Sequence, residues 1–160
     1  MNICVIAADG GRARLFVYEE PAGAPARLVE RESMVNAEYD ARGADAMVDR
    51  KSTRMTSREA GPIHPQDPWR DQHRAELERR FAANIAERVA GLVKGWKDGS
   101  IVLVADPKML GLAREGVRAV AKGGVSVKEL AKDYTGLSPH ALHQQLAGQG
   151  LLPAPKRAGA

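Results

Sequence analysis

A chain of 160 residues is most simply one domain, and its hydrophobic fraction of 44% with only 4% aromatic residues predicts an aliphatic core. The formal net charge of +4 is compatible with an anionic partner, and a single cysteine excludes a disulfide framework within the chain. No apolar run approaches the roughly 20 residues of a membrane-spanning helix, and the N-terminus lacks the basic segment of a signal peptide, so we expect a cytoplasmic protein without membrane insertion.

The first part of the chain predicts three antiparallel strands. Ile3–Ala8 is almost continuously apolar, which is typical of a central strand covered on both faces. Asp9–Arg12 contains two glycines and predicts a tight turn, so Ala13–Tyr18 forms a hairpin with the first strand. Arg27–Ser33 is heavily charged and alternates only weakly, which indicates a third strand at the sheet edge.

Residues 36–68 show no periodic spacing of apolar residues. This segment is rich in arginine, aspartate, glycine and proline, and it predicts a long, largely irregular loop. Loops of this length are uncommon in compact domains, and those that occur are usually functional or disordered.

A long helix follows the loop. Asp67 and Pro68 supply an N-cap and a first-turn proline. One apolar stripe recurs every three or four residues through Leu77, Phe81, Ile85, Val89, Leu92 or Val93, and Trp96. We expect the helix to run from Asp67 to about Trp96 and to end at Asp98–Gly99, because glycine tolerates a left-handed cap.

The remaining elements alternate between strands and helices. They are a strand over Ile101–Ala105, a helix from Asp106–Pro107 to Gly123–Gly124, an edge strand over Val125–Leu130, a last helix from Ser138–Pro139, and a tail over residues 151–160. The predicted fold is therefore α/β: a mixed five-stranded sheet, order 3-2-1-4-5, flanked by helices within one domain of residues 1–150. The third and fifth strands, as the two sheet edges, offer a surface for a homodimer.

Three segments together resemble the bacterial host-attachment protein family. They are Val5–Leu15, Ile101–Gly111 and Lys132–Pro139, and the similarity extends over roughly Met1 to Leu146. This family is similar to the middle domain of archaeo-eukaryotic peptide-chain release factors. The resemblance implies that this chain has the fold of that middle domain and that it contacts the ribosome, tRNA or another RNA.

In the release factors a Gly-Gly-Gln loop precedes the long helix and reaches the peptidyl-transferase centre. The matching segment here reads Gly61-Pro62-Ile63-His64-Pro65-Gln66 and contains no such motif. We therefore expect a binding module rather than a peptidyl-tRNA hydrolase.

Basic and aromatic side chains around the start of the long helix are the first candidate site. Arginine and lysine bind phosphates, and exposed tryptophan or histidine can stack on an unpaired base. The predicted RNA-binding residues are Arg50, Lys51, Arg54, Arg58, His64, Trp69, Arg70 and Arg74. A solvated loop with charges balanced by nearby acids is the alternative interpretation.

Carboxylates at strand ends are the second candidate site. Asp9 follows the first strand, Asp106 the fourth and Asp133 the fifth. Parallel neighbouring strands would bring Asp9 and Asp106 to one sheet edge. The strand order resembles that of ribonuclease-H-like nucleases, which implies a divalent-metal phosphodiesterase as an alternative function. Capping of a helix by Asp106 and a simple Asp-Gly turn explain the same residues without metal, and no acid of the long helix is clearly aimed at this edge.

Nothing in the sequence matches a phosphate-binding loop, a dinucleotide fingerprint or a DNA-reading motif, so we expect no cofactor. A third hypothesis is a protein-interaction module that affects host attachment indirectly. The leading hypothesis is RNA or ribosome binding through the basic loop.

Overall fold

The structure is a computed structural model that describes residues 1–37 and 68–155. Five strands form one sheet in the order β3-β2-β1-β4-β5, which confirms the predicted order. The strands are β1 Ile3–Ala8, β2 Arg12–Glu19, β3 Arg27–Val35, β4 Asp98–Ala105 and β5 Gly124–Ala131. The helices are α1 Pro68–Leu92, α2 Pro107–Val120 and α3 Pro139–Gly148.

The centre of the sheet is the apolar strand β1. It pairs antiparallel with β2 and parallel with β4, and all six of its residues are buried. Strand β2 continues antiparallel to β3, and β4 runs parallel to β5. The meander followed by two crossovers therefore places the carboxyl ends of β1, β4 and β5 at one edge of the sheet.

Alternation along the strands divides the core into two layers. Cys4, Ile6 and Ala8 face the layer that holds α1 and α2, and that layer also contains Phe81 and Val117. The other layer is formed with α3 and the chain after it; its members include Val5, Phe16, Leu142, Leu146 and Leu152. Within the part of the chain that the structure describes, no helix is long and apolar enough to cross a membrane.

The predicted C-terminal end of the long helix is wrong. The helix ends at Leu92, because Gly95 adopts a left-handed φ of 83° shortly beyond it. Asp98 and Gly99 begin β4 instead of capping the helix. Gly99 lies against the first residues of the chain, since a Cβ built on it would be 2.4 Å from the backbone oxygen of Asn2.

A β-bulge interrupts the pairing of β3 with β2. Leu15 pairs with Glu32 but the next residue, Phe16, pairs with Glu30, so Arg31 is the extra residue. The bulge turns Glu30 and Glu32 to opposite faces of the sheet. Residues 38–67, most of the predicted loop, and residues 156–160 of the tail lie outside the described residues.

Candidate functional site

A polar pocket of about 630 Å³ lies where β1, β4 and β5 end, and we call it the strand-end pocket. Its lining residues are Asp9, Gly10, Gly11, Arg12, Asp71, Arg74, Glu78, Asp106, Lys108 and Asp133. The three aspartates expected to share this edge therefore line one pocket. Three cationic side chains line the same space.

Asp9 is held by the turn that joins β1 to β2. Its Oδ1 accepts hydrogen bonds from the backbone N–H of Gly11 and of Arg12, each at 2.8 Å. The two glycines allow the reversal, and the Asp9 N–H closes it on the Arg12 carbonyl at 2.9 Å. The turn therefore occupies Oδ1 of this carboxylate, and Oδ2 is left for contacts outside the turn.

Thr135, which is 3% exposed, joins this turn to the loop after β5. Its hydroxyl oxygen lies 2.6 Å from Asp133 Oδ1 and 3.3 Å from Asp9 Oδ2. Arg12 Nη2 donates to the same oxygen at 3.3 Å. A hydroxyl has one proton, and the shorter distance assigns it to Asp133, so the second oxygen of Asp9 receives the weaker contact.

Arg14, two residues after Arg12 on β2, contacts the same loop after β5. Its Nη1 donates to the carbonyl of Thr135 at 3.1 Å and to that of Leu137 at 2.5 Å, while its Nε donates to Glu30 at 2.6 Å. The guanidinium also lies 5.0 Å from the ring centre of Phe16. These contacts hold the loop that carries Asp133 against the β1–β2 hairpin.

Asp106 caps α2, as its sequence position before Pro107 predicts. Its Oδ2 accepts from the backbone N–H of Met109 at 3.3 Å. Its Oδ1 is buried, and no hydrogen-bond partner for it is found among the described residues. An unpaired buried carboxylate oxygen is unfavourable, which makes this atom the one in the pocket most in need of a ligand or a donor.

The long helix adds acids that the sequence reading missed. Asp71 and Glu78 of α1 both line the pocket, so the expectation that no acid of this helix reaches the site is wrong. Glu78 is 4% exposed and pairs with Lys108 Nζ at 3.2 Å. It precedes the buried Ala82 by one helical turn, and an acid in line with an apolar stripe was the available signal.

The predicted RNA-binding residues divide into two groups. Arg50, Lys51, Arg54, Arg58 and His64 lie outside the described residues. Trp69 and Arg70 lie at the start of α1, where Trp69 is 81% exposed, and Arg74 lines the strand-end pocket. The start of α1 therefore lies at the pocket where the three aspartates meet.

The carboxylates do not form a ready metal centre. Among the residues that the structure describes, no group of three or more His, Cys, Asp or Glu side chains is arranged to hold a metal ion. Asp9 and Asp133 share the hydroxyl of Thr135, and Asp106 caps a helix. A metal at Asp9, Asp106 and Asp133 stays a prediction.

The architecture and the pocket define an α/β domain with a polar site at the carboxyl ends of its parallel strands. The chain belongs to the family described as "Protein required for attachment to host cells", whose sequence profile matches residues 4–146. The resemblance to this family is confirmed. No match was found among curated proteins.

Solved structures of two other proteins are similar to this chain. RuvC of T. thermophilus, in complex with a Holliday junction substrate, has 15% identity and a TM-score of 0.43 over 99% of this chain and 85% of its own. The PPX-GPPA enzyme of Aquifex aeolicus has 13% identity and a TM-score of 0.40 over 81% of this chain. The match spans 36% of the Aquifex chain. Identities and TM-scores this low carry no inference about activity.

Proposed function

We propose that this host-attachment family protein is a cytoplasmic RNA- or ribosome-binding module, similar to the release-factor middle domain but without its Gly-Gly-Gln motif. The observation that carries the proposal is the position of Trp69, a largely exposed indole at the start of α1. Arg74, five residues further along α1, lines the strand-end pocket. An aromatic face beside cations is the arrangement that binds single-stranded nucleic acid.

The pocket itself would contribute little to RNA affinity, since five of its lining side chains are acidic and three are basic. Phosphates would instead contact Arg70 at the start of α1 and the basic residues Arg50, Lys51, Arg54 and Arg58, which precede it in the sequence. Each phosphate contact releases bound counterions, so the affinity should fall steeply as the salt concentration rises.

Co-sedimentation with purified bacterial ribosomes and binding of fluorescent single-stranded oligo(U) test this proposal. A variant with Arg50, Lys51, Arg54 and Arg58 changed to Glu should bind more weakly and should reduce the salt slope by about three. The matched control reverses Lys94, Lys97 and Lys122, which precede β4 or β5 at the opposite edge, and Lys128, which is exposed in the middle of β5.

Trp69 gives a second readout of the same proposal. Stacking of a base on Trp69 should quench its fluorescence, and Trp69→Phe should abolish this quenching. The fluorescence of Trp96, which packs against the core, should stay unchanged and serves as an internal reference. Equal binding by the charge-reversal variant and its control would contradict an RNA role for the loop. Failure to bind either probe would favour the third hypothesis, a protein-interaction role in host attachment.

A divalent-metal phosphodiesterase is the second candidate function, and the observation that favours it is the unpaired Asp106 Oδ1 in a pocket shared with Asp9 and Asp133. RNA cleavage that depends on Mg²⁺ or Mn²⁺ and is abolished by Asp9→Asn and Asp106→Asn would support it. Glu115→Gln, an exposed acid on α2, is the control. Cleavage that survives both aspartate substitutions would eliminate this candidate.

A further inference from the structure

Asn36 directly follows β3, and each of its N–H groups donates a hydrogen bond. Its backbone N–H donates to the carbonyl of Gly11 at 2.8 Å. Its side-chain Nδ2 donates to the carbonyl of Gly10 at 3.2 Å and to that of Leu77 at 3.3 Å. A side-chain amide has two N–H protons, so these two acceptors use both of them. Asn36 therefore ties the turn between β1 and β2 to α1.

The three acceptors lie in or next to two walls of the strand-end pocket. The turn wall consists of residues 9–12, and the helix wall consists of Asp71, Arg74 and Glu78. Gly10 and Gly11 belong to the turn wall, and Leu77 directly precedes Glu78 of the helix wall. Asn36 itself borders a second depression, between β3 and α1, together with Leu77. Its influence on the pocket therefore acts through the residues that form the two walls.

The bond to Leu77 is made where α1 begins to pack on the sheet. Residues 69–76 are exposed or half-buried, and Leu77 is the first buried residue among the side chains of α1 that the structure describes. About the first two turns of the helix, with Trp69 and Arg74, therefore extend beyond its packed part. Asn36 fixes the helix at the base of this extension.

We propose that Asn36 is a positioning residue for the RNA site: it sets the separation of the turn wall from the helix wall, and with it the orientation of Trp69 and Arg74 toward a bound strand. The inference rests on the proposed function, since Trp69 and Arg74 are RNA contacts only in that account. The amide is suited to this position because it offers two donors to two carbonyl groups. Aspartate has the same shape but would place a carboxylate against two acceptors.

Binding of fluorescent oligo(U) by Asn36→Ala tests the functional part of the inference. The affinity should fall about fivefold, because the helix extension is no longer held in one orientation. The salt slope should stay at its wild-type value, because the substitution removes no cation. Asn84→Ala, at an exposed asparagine of the same helix, is the matched control and should bind as the wild type does.

A nitroxide label on Gln72→Cys, at an exposed position of α1, reports the separation of the walls without RNA. The natural thiol of Cys4 is buried, and chiefly this burial raises its pKa to about 12, so the label reacts at position 72. In Asn36→Ala the relaxation enhancement at the amides of Gly10–Arg12 should decrease, because the turn is no longer tied to the helix. At Ile101–Val104, in the centre of the sheet, it should remain unchanged.

Asn36→Ser is a milder variant that keeps one side-chain donor, and it should lie between the wild type and Asn36→Ala in both measurements. Wild-type relaxation in Asn36→Ala and Asn36→Ser would overturn the inference, and so would an equal loss of affinity in Asn84→Ala. A wild-type protein that binds neither ribosomes nor oligo(U) would contradict the proposed function. The relaxation measurement alone would then decide whether Asn36 sets the separation of the walls.

Discussion

Glu78 and Lys108 form an ion pair across the two helices of one layer, with Glu78 4% exposed and the Lys108 side chain 65% exposed. The distance from Nζ to Oε1 is 3.2 Å. The arrangement is asymmetric, because the acid is almost fully buried whereas the lysine is largely exposed. The lysine therefore compensates a charge that α1 places at the wall of the strand-end pocket.

Lys108→Met should lower the free energy of unfolding by about 1–2 kcal/mol, which is less than for a fully buried pair because the lysine is largely exposed. Urea denaturation at neutral pH measures the effect. Glu78→Gln combined with Lys108→Met should recover part of the loss, since the double variant no longer buries an uncompensated charge. Lys128→Met on β5 is the control, and a loss as large as that of Lys108→Met would contradict the asymmetric pair.

Gly116 determines how closely α1 and α2 approach. A Cβ built on Gly116 would lie 3.0 Å from the Cβ of Ala86, whereas one built on Gly111 of the same helix meets nothing within 4 Å. Alanine at either position gains up to about 1 kcal/mol of helix propensity. At Gly116 the two helices must also separate, because neither methyl group can rotate away.

We expect Gly111→Ala to raise the free energy of unfolding and Gly116→Ala to be less stable than Gly111→Ala by about 1–2 kcal/mol. Thermal and urea denaturation compare the two variants directly. Ala86→Gly in the Gly116→Ala background should relieve the contact. Equal gains at both positions would show that α1 and α2 are not in close contact there.

Glu129 links the last strand to α2 through two arginines. Its carboxylate accepts from Arg114 Nε at 2.7 and 3.1 Å and from Arg118 Nη2 at 2.8 Å. Burial raises the pKa of this carboxyl, but the hydrogen bonds and charges of Arg114 and Arg118 outweigh it, and the net pKa lies below its ordinary value.

A carboxyl with a lower pKa in the folded than in the unfolded state stabilises the fold fully above its unfolded pKa, and that stability is lost as the pH falls through the folded pKa. Glu129→Gln should therefore cost about 1 kcal/mol at pH 7, and this difference should shrink as the solution is acidified below pH 4. Urea titrations at several pH values, with Glu115→Gln as control, measure it. A difference that is independent of pH would show that the ion pairs contribute nothing.

Much of the fold could be predicted because local signals and tertiary packing agree. The apolar run of β1 is buried on both faces, and the Asp-Pro and Ser-Pro pairs before α2 and α3 supply the expected caps at Asp106 and Ser138. The predicted end of α1 lies too far along the chain, since Gly95 and Gly99 are equivalent stop signals in the sequence and only packing against Asn2 assigns Gly99 to a strand.

Part of the candidate site could be predicted, because the strand order determines which strand ends lie side by side. Convergence of Asp9 and Asp106 follows from the parallel pairing of β1 and β4, which the strand order implies. The contact between Asp9 Oδ2 and the Thr135 hydroxyl oxygen joins residues that are 126 positions apart, and no periodicity or spacing encodes such a contact. Thr135 was therefore not identified from the sequence.

Thr135 is predicted to hold the two carboxylates at the mouth of the strand-end pocket. Thr135→Val keeps the shape of the side chain but removes the hydroxyl that contacts Asp9, Asp133 and Arg12, so it should cost about 1–3 kcal/mol of unfolding free energy. Thr135→Ser retains the hydroxyl and should cost less than about 1 kcal/mol. Side-chain carboxyl resonances of Asp9 and Asp133 should shift in the valine variant and stay near their wild-type positions in the serine variant. Equal stability and equal resonances in the two variants would show that the hydroxyl is dispensable, and that the contacts of Arg14 with the carbonyls of Thr135 and Leu137 suffice to hold the loop.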